Sequence, residues 1–186
     1  MTAARFAILA LLLSAPLGPA EVRASSIRDA GKHPFESALE DSGLPHFVEI
    51  EPGLARGGQP TEQGLLLLRE RGFRTVVSFR RDSWERRALE EMGIRYVQIP
   101  IRAGLFGSTA PTSEEVARFL SVVSDSSQRP VFIHCRRGKD RTGAMAAIYR
   151  IQASGWTKDE ALREMFSYGF NRYYGNLMQL VRNYAP

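Results

Sequence analysis

A chain of 186 residues, 44% hydrophobic and 24% charged, fits one domain with a proper core. Its formal net charge of +5 suits anionic ligands, and the absence of an aromatic-interleaved basic patch argues against nucleic acid as a partner. The one cysteine excludes an intramolecular disulfide.

The first residues read apart from the rest. Arg5 precedes FAILALLL (6–13), an apolar run too short to span a bilayer. Pro16, Gly18 and Pro19 would break a helix there, and both Gly18-Pro19-Ala20 and Val22-Arg23-Ala24 fit a small-residue cleavage rule. Residues 1–24 are therefore expected to be a signal peptide, with export to the periplasm or beyond. No lipid-attachment cysteine lies near it. Residues 25–45 read as a lead-in with a short helix near Phe35–Leu39, and 46–186 as the folded domain.

From there strands and helices alternate. FVEIEP (47–52) reads as a strand, LARGG (54–58) as a short second strand or a turn, and TEQGLLLLRERG (61–72) as a helix capped by Thr61 and stopped by Gly72. RTVVSFR (74–80) is β-branched and apolar, SWERRALEEMG (83–93) amphipathic, and IRYVQIP (94–100) strand-like. An irregular stretch, IRAGLFGSTAP (101–111), leads to a helix at 114–125 behind the capping box Thr112/Glu115. PVFIH (130–134) is a short apolar strand, 142–155 an alanine-rich helix, 158–169 a helix capped by Thr157 and Glu160, and 171–184 a last helix. This alternation predicts an α/β fold with a mostly parallel central sheet flanked by helices. In such sheets ligands sit beyond the C-terminal strand ends, so Arg80–Ser83, Ile101–Pro111 and Cys135–Thr142 should converge.

The lone cysteine lies in HCRRGKDRTG (134–143), followed within six positions by Arg136, Arg137, Lys139 and Arg141. A buried structural thiol is the plain reading of a lone cysteine, but such a density of cations argues against it. An unpaired thiol in an oxidising compartment also reads as a working residue. A strand, a glycine-containing loop and a helix N-terminus turn several N–H groups and a positive dipole end onto one oxyanion. The fork of Arg141 suits a phosphate, and the same field stabilises a thiolate, which makes Cys135 nucleophilic. The chemistry implied is covalent phosphoryl transfer. Cys135 attacks phosphorus, Arg141 stabilises the equatorial oxygens, and the Thr142 hydroxyl helps the sulfur leave. His134 orients the start of the loop. Backbone amides and arginine supply the positive field, so no metal or other cofactor is expected.

The motif resembles the C-x5-R-[ST] signature of the cysteine-dependent tyrosine and dual-specificity phosphatases, and the resemblance runs from about Leu54 to Phe170. ARGGQP (55–60) looks like the R-[SG]-x-x-P entry turn of the atypical compact members of plants, fungi and bacteria. YRIQASGWTKDEALREM (149–165) is similar to the helical tail of exported bacterial members. The resemblance implies a protein-tyrosine-phosphatase-like fold with C-terminal helices. It makes Cys135 the nucleophile, Arg141 the phosphate clamp and Thr142 the aid to hydrolysis, with His134, Arg136, Arg137, Gly138, Lys139 and Asp140 around the phosphate. A rhodanese-like sulfurtransferase has one residue fewer between its cysteine and arginine. The small arsenate-reductase-like phosphatases carry the loop near the N-terminus.

One part of the pattern is missing. The family's general acid sits after the preceding strand, where PIRAGLFGSTAP (100–111) holds no Asp or Glu and Gly104 stands at the matching position. Asp82 is the first candidate for a displaced acid, although beside Arg80 and Arg81 it also reads as a structural ion-pair partner. Glu114 and Asp140 are further candidates. A substrate with a good leaving group, such as a phosphoanhydride, removes the need for an acid. The resemblance implies a phosphorylated protein as the first expected substrate, of the phosphotyrosine or dual-specificity kind. An inositol polyphosphate, pyrophosphate or phosphoinositide is the alternative that Arg136 and Lys139 would suit. Membrane contact is expected at most through the substrate. A pseudo-enzyme that binds phosphate without turnover is the reading from another class. Trp84 and Trp156 are expected to pack at helix starts, Phe106 to line the mouth of the pocket or anchor a lid, and His33 and His46 lie far from the motif.

Overall fold

The computed structural model describes residues 43–82, 84–104 and 107–186. The expected signal peptide and the helix near Phe35–Leu39 lie outside these residues.

Five strands form one sheet: β1 (Val48–Glu51), β2 (Leu54–Gly57), β3 (Thr75–Ser78), β4 (Arg95–Gln98) and β7 (Val131–His134), in the order β1-β2-β7-β3-β4. The β1–β2 pair is antiparallel and the other three pairs are parallel. A separate two-stranded hairpin joins β5 (Ala103–Gly104) to β6 (Gly107–Ser108), inside the stretch expected to be irregular. The helices are α1 (Glu62–Glu70), α2 (Arg86–Glu91), α3 (Ser113–Ser124), α4 (Asp140–Ser154), α5 (Lys158–Ser167) and α6 (Gly175–Asn183).

The sheet separates two cores, because alternate residues of a strand face opposite sides. Leu65, Leu68 and Leu89 cover Ala55, Val76 and Phe132 on one side. On the other, Leu54, Val77 and Ile133 meet Phe119, Ala144, Ile148, Met165 and Leu177. Helix α4 runs through this second core, buried from Thr142 to Tyr149. Its alanines let it lie close to both the sheet and α5.

Local rules gave most helix starts. Thr112 with Glu115 and Thr157 with Glu160 form complete capping boxes, and Thr61 accepts from the Gly64 amide. Two starts differ from expectation. Helix α2 begins only at Arg86, because Glu85 is drawn into the interior, where it accepts hydrogen bonds from Gln59 and Tyr96. Helix α6 begins at Gly175, since Asn171 forms a turn in which its Oδ1 accepts from the Tyr173 amide. Of the two tryptophans, Trp156 is buried beneath Arg150, whereas Trp84 is 47% exposed and does not pack as expected.

Candidate active site

Strand β7 ends at His134 and delivers Cys135 into the core beneath the loop, 2% exposed. Gly138 turns the loop with φ of +73°, a conformation that a side chain would strain. There is also no room for one: a Cβ at Gly138 would come 2.6 Å from the Gly58 nitrogen. The loop thus leans on the chain that leaves β2. Helix α4 opens at Asp140, so its positive dipole end faces the loop.

Arg141 joins the three strand ends that were expected to meet. Its Nη1 donates to the Phe79 carbonyl (3.1 Å) and to the Ile101 carbonyl (3.3 Å). Thr142 is fully buried behind Cys135, and its Oγ1 has no hydrogen-bond partner among the described residues.

Beneath the loop lies a residue that the motif did not announce. Arg56, in the middle of β2, is 2% exposed, and its Nη2 donates to the Gly138 carbonyl at 2.8 Å. Its guanidinium carbon stands 4.6 Å from the centre of the Tyr168 ring. Burial pulls this guanidinium below its ordinary range, and the charges of Glu164, Tyr168 and Cys135 oppose that shift.

The opposite face of the sheet carries a second polar cluster. His134 is fully buried, stacked on Phe132, with Nε2 3.5 Å from Glu85 Oε1. Gln59 Nε2 donates to Glu85 Oε2 at 2.9 Å, and Tyr96 Oη to Oε1 at 3.1 Å. Burial alone would raise the Glu85 carboxyl. The hydrogen bond and charge of His134, with donors from the main chain and Gln59, instead hold it at about 2. Tyr96 is pushed up to about 12, chiefly by burial, with the charge of Glu85 adding to the effect.

The remaining candidates divide. Arg136 and Arg137 are exposed, and the Arg136 carbonyl accepts from the Gln59 amide at 3.2 Å. Lys139 lies along Gly169. Its neighbour Asp140 accepts from the Asn171 amide at 2.8 Å, which ties the start of α4 to the segment after α5 and leaves that carboxylate a structural partner rather than a free acid. The imidazole of His134 lies on the side of the sheet away from the Cys135 side chain, stacked on Phe132, and its Nδ1 stands 3.4 Å from the Cys135 carbonyl oxygen at the start of the loop. Asp82 is half exposed and forms a two-pronged ion pair with Arg80. The hydrogen bond from Arg80 holds its carboxyl below the usual carboxylate range, the wrong direction for a group that must carry a proton. Glu114 is an exposed residue in the first turn of α3.

Sequence reasoning passed over Arg56, Gln59 and Glu85 as site residues. For Arg56 a signal existed: a cation between Ala55 and Gly57 in a short apolar strand has no solvent to face. Glu85 gave none, since an acid at the start of an amphipathic helix is ordinary.

The model of a family described as "DSP-PTPase phosphatase fused to NAD+ Kinase" matches residues 40–176. The chain belongs to this DSP-PTPase family. It is 32% identical over 161 residues to the dual specificity protein phosphatase TpbA of Pseudomonas aeruginosa, covering 87% of this chain and 68% of that protein. The crystal structure of P. aeruginosa TpbA superposes with a TM-score of 0.64 at 29% identity, over 77% of this chain and 91% of that one. The inositol diphosphatase DSP2 of Oryza sativa is 30% identical over 108 residues, 56% of this chain and 53% of that protein. The chain is a cysteine-dependent phosphatase of the atypical compact dual-specificity type, with the α/β fold of the protein tyrosine phosphatases.

Proposed function

We propose that the chain hydrolyses phosphate monoesters of the phosphotyrosine and dual-specificity kind through a cysteinyl-phosphate on Cys135. One observation carries this reading: a buried thiol at the base of a tight loop, between the end of β7 and the N-terminus of α4, with Arg141 anchored across the neighbouring strand ends. The Cys135 thiolate attacks phosphorus, an S–P bond forms, and the ester oxygen leaves with its bonding pair and takes a proton from water. A second water then attacks phosphorus, the S–P bond breaks towards sulfur, and inorganic phosphate departs. Arg141 and the loop amides stabilise the oxygens in both steps, and Thr142 Oγ1 donates to the departing sulfur. The likeness to TpbA across most of the chain supports phosphorylated protein as substrate.

A second reading has its own observation. The stretch 100–111 holds no carboxylate, and Arg80 keeps Asp82 ionised. A leaving group that needs no proton fits that arrangement, and a phosphoanhydride of an inositol pyrophosphate is one. The likeness to the rice inositol diphosphatase supports it. A series of aryl phosphates with phenols of increasing pKa separates the readings. Rates that fall steeply along the series, with inositol pyrophosphate turned over faster than phosphotyrosine peptide, favour the anhydride. A flat series with faster peptide turnover favours the monoester. No phosphate release from any of them sinks both. Export through residues 1–24 remains part of the proposal, and N-terminal sequencing of protein from the cell envelope or medium tests it.

A further inference from the structure

Arg56 is an expensive residue to keep where it is. A buried guanidinium loses its hydration, and an apolar side chain of similar volume would fill the same place without that penalty. Its Nη1 has no hydrogen-bond partner among the described residues, and the guanidinium carbon lies 4.6 Å from the centre of the Tyr168 ring. Glu164 offsets part of the charge but is itself paired with Arg150 at 3.0 Å. Among the described residues, the one hydrogen bond from the Arg56 side chain goes 82 positions along the chain, to the Gly138 carbonyl.

That carbonyl belongs to a trans peptide, in which C=O and N–H point in opposite directions. Drawing the Gly138 oxygen down towards Arg56 therefore turns the Lys139 N–H up, towards the concave side of the loop. The neighbouring support works in the same way. The Gln59 amide draws out the Arg136 carbonyl, which turns the Arg137 N–H inward. The loop tolerates this because Gly138 adopts positive φ and packs without a side chain on Gly57 and Gly58. The alternation of β2 also sets Arg56 on the Cys135 side of the sheet, in the core that holds Leu54 and Ile133.

We propose that Arg56 is a positioning residue for the reaction: its bond to the Gly138 carbonyl fixes the peptide plane that presents the Lys139 N–H to the substrate's phosphate oxygens. The inference rests on the cysteinyl-phosphate reading. Arg56 touches neither phosphate nor sulfur. It sets the direction of a donor that does, and preset donors bind an oxyanion better than donors that must reorganise.

The test compares wild type, Arg56→Met and Arg56→Lys for thermal unfolding, hydrolysis of an aryl phosphate, and inhibition by orthovanadate. Wild type must first hydrolyse the ester through Cys135, and its failure to do so counts against the cysteinyl-phosphate reading rather than against this one. Arg56→Met is expected to unfold within a few degrees of wild type while kcat/KM and vanadate affinity both fall, by about tenfold to a hundredfold, the range for one misdirected oxyanion donor. Arg56→Lys, which keeps the charge without the fork, is expected to fall between the two. A merely structural role would lower the unfolding temperature and leave vanadate affinity in the folded fraction unchanged. A folded Arg56→Met with wild-type vanadate affinity and kcat/KM overturns the proposal. Should Arg56→Met fail to fold, Arg56→Lys carries the test alone, and wild-type vanadate affinity in that variant overturns it equally.

Discussion

The loop 135–141 and the stretch 100–111 lie at the same end of the sheet, yet they are held in different ways. The cysteine loop is tied from below by Arg56, from the side by the Gln59 amide, and at its helical end through Asp140 to Asn171. The other stretch is tied at Ile101, whose amide donates to the Phe79 carbonyl and whose own carbonyl accepts from Arg141, and its short hairpin is held by Thr109 N to Arg102 O at 2.9 Å and the Asn176 side chain to Ser108 O at 2.7 Å. It has no titratable acid to place. The difference locates the chemistry. The polar ties at this end of the sheet brace the loop that carries the nucleophile, whereas the stretch 100–111 offers no carboxylate to be braced.

The strongest way to break that contrast is to remove the nucleophile. Cys135→Ser is expected to lower phosphate release by at least about 10⁴-fold. Equilibrium binding of phosphate should persist, since the loop and Arg141 remain. Turnover close to wild type would disprove the covalent route.

Next comes the shape of the loop. In Gly138→Ala, the new methyl meets the backbone of Gly57 and Gly58 at a positive φ. Activity should fall by about a hundredfold, with about 1–3 kcal/mol lost in urea unfolding. Full activity in this variant would mean that the loop is looser than the Gly57–Gly58 packing implies.

The far face holds a buried carboxylate against His134, Gln59 and Tyr96, and pH tests what it contributes. Glu85 titrates at about 2 when folded, below its ordinary 4.5. Its stabilisation is therefore fully present above pH 4.5 and is lost as pH falls towards 2. The loss should be on the order of 2 kcal/mol. Urea midpoints measured across this window should drop more for wild type than for Glu85→Gln, and parallel drops would remove Glu85 from the account.

The smallest effect is expected at Asp82, and it sharpens the comparison most directly. The ion pair with Arg80 is open to solvent on its Asp82 side, and pairs exposed to solvent contribute at most about 1 kcal/mol. Asp82→Asn should keep kcat for an aryl phosphate within about fivefold of wild type. A loss of a hundredfold or more, confined to poor leaving groups, would make Asp82 the acid after all.

What could be read in the sequence was what short-range rules determine. Alternation of apolar strands with capped helices predicted the layers, and Thr112/Glu115 and Thr157/Glu160 cap as their spacing requires. Cys135, Arg141 and Thr142 share one loop and one helix start, so they are neighbours in any fold that forms the motif. Arg56 and Gly138 are 82 residues apart, and Gln59 and Glu85 are 26 apart. The parallel pairing of β2 with β7, Arg56 opposite Ile133 and Gly57 opposite His134, brings Arg56 under the loop, and Glu85 reaches Gln59 and His134 on the other face of the sheet. The late starts of α2 and α6 belong to the same class, because a buried Glu85 and an Asn171 turn outweigh a continuous helical pattern.

The bond between Asp140 and the Asn171 amide has a consequence for the order in which the chain is made. The signature at 135–142 leaves the ribosome ahead of Tyr168, which stacks on Arg56, and of Asn176, which grips Ser108. A nascent chain ending before Tyr168 would hold every residue of the motif without the pieces that brace it. Segments made after the signature therefore complete the reactive centre, and a product that stops short of them would carry the thiol without its finished cradle.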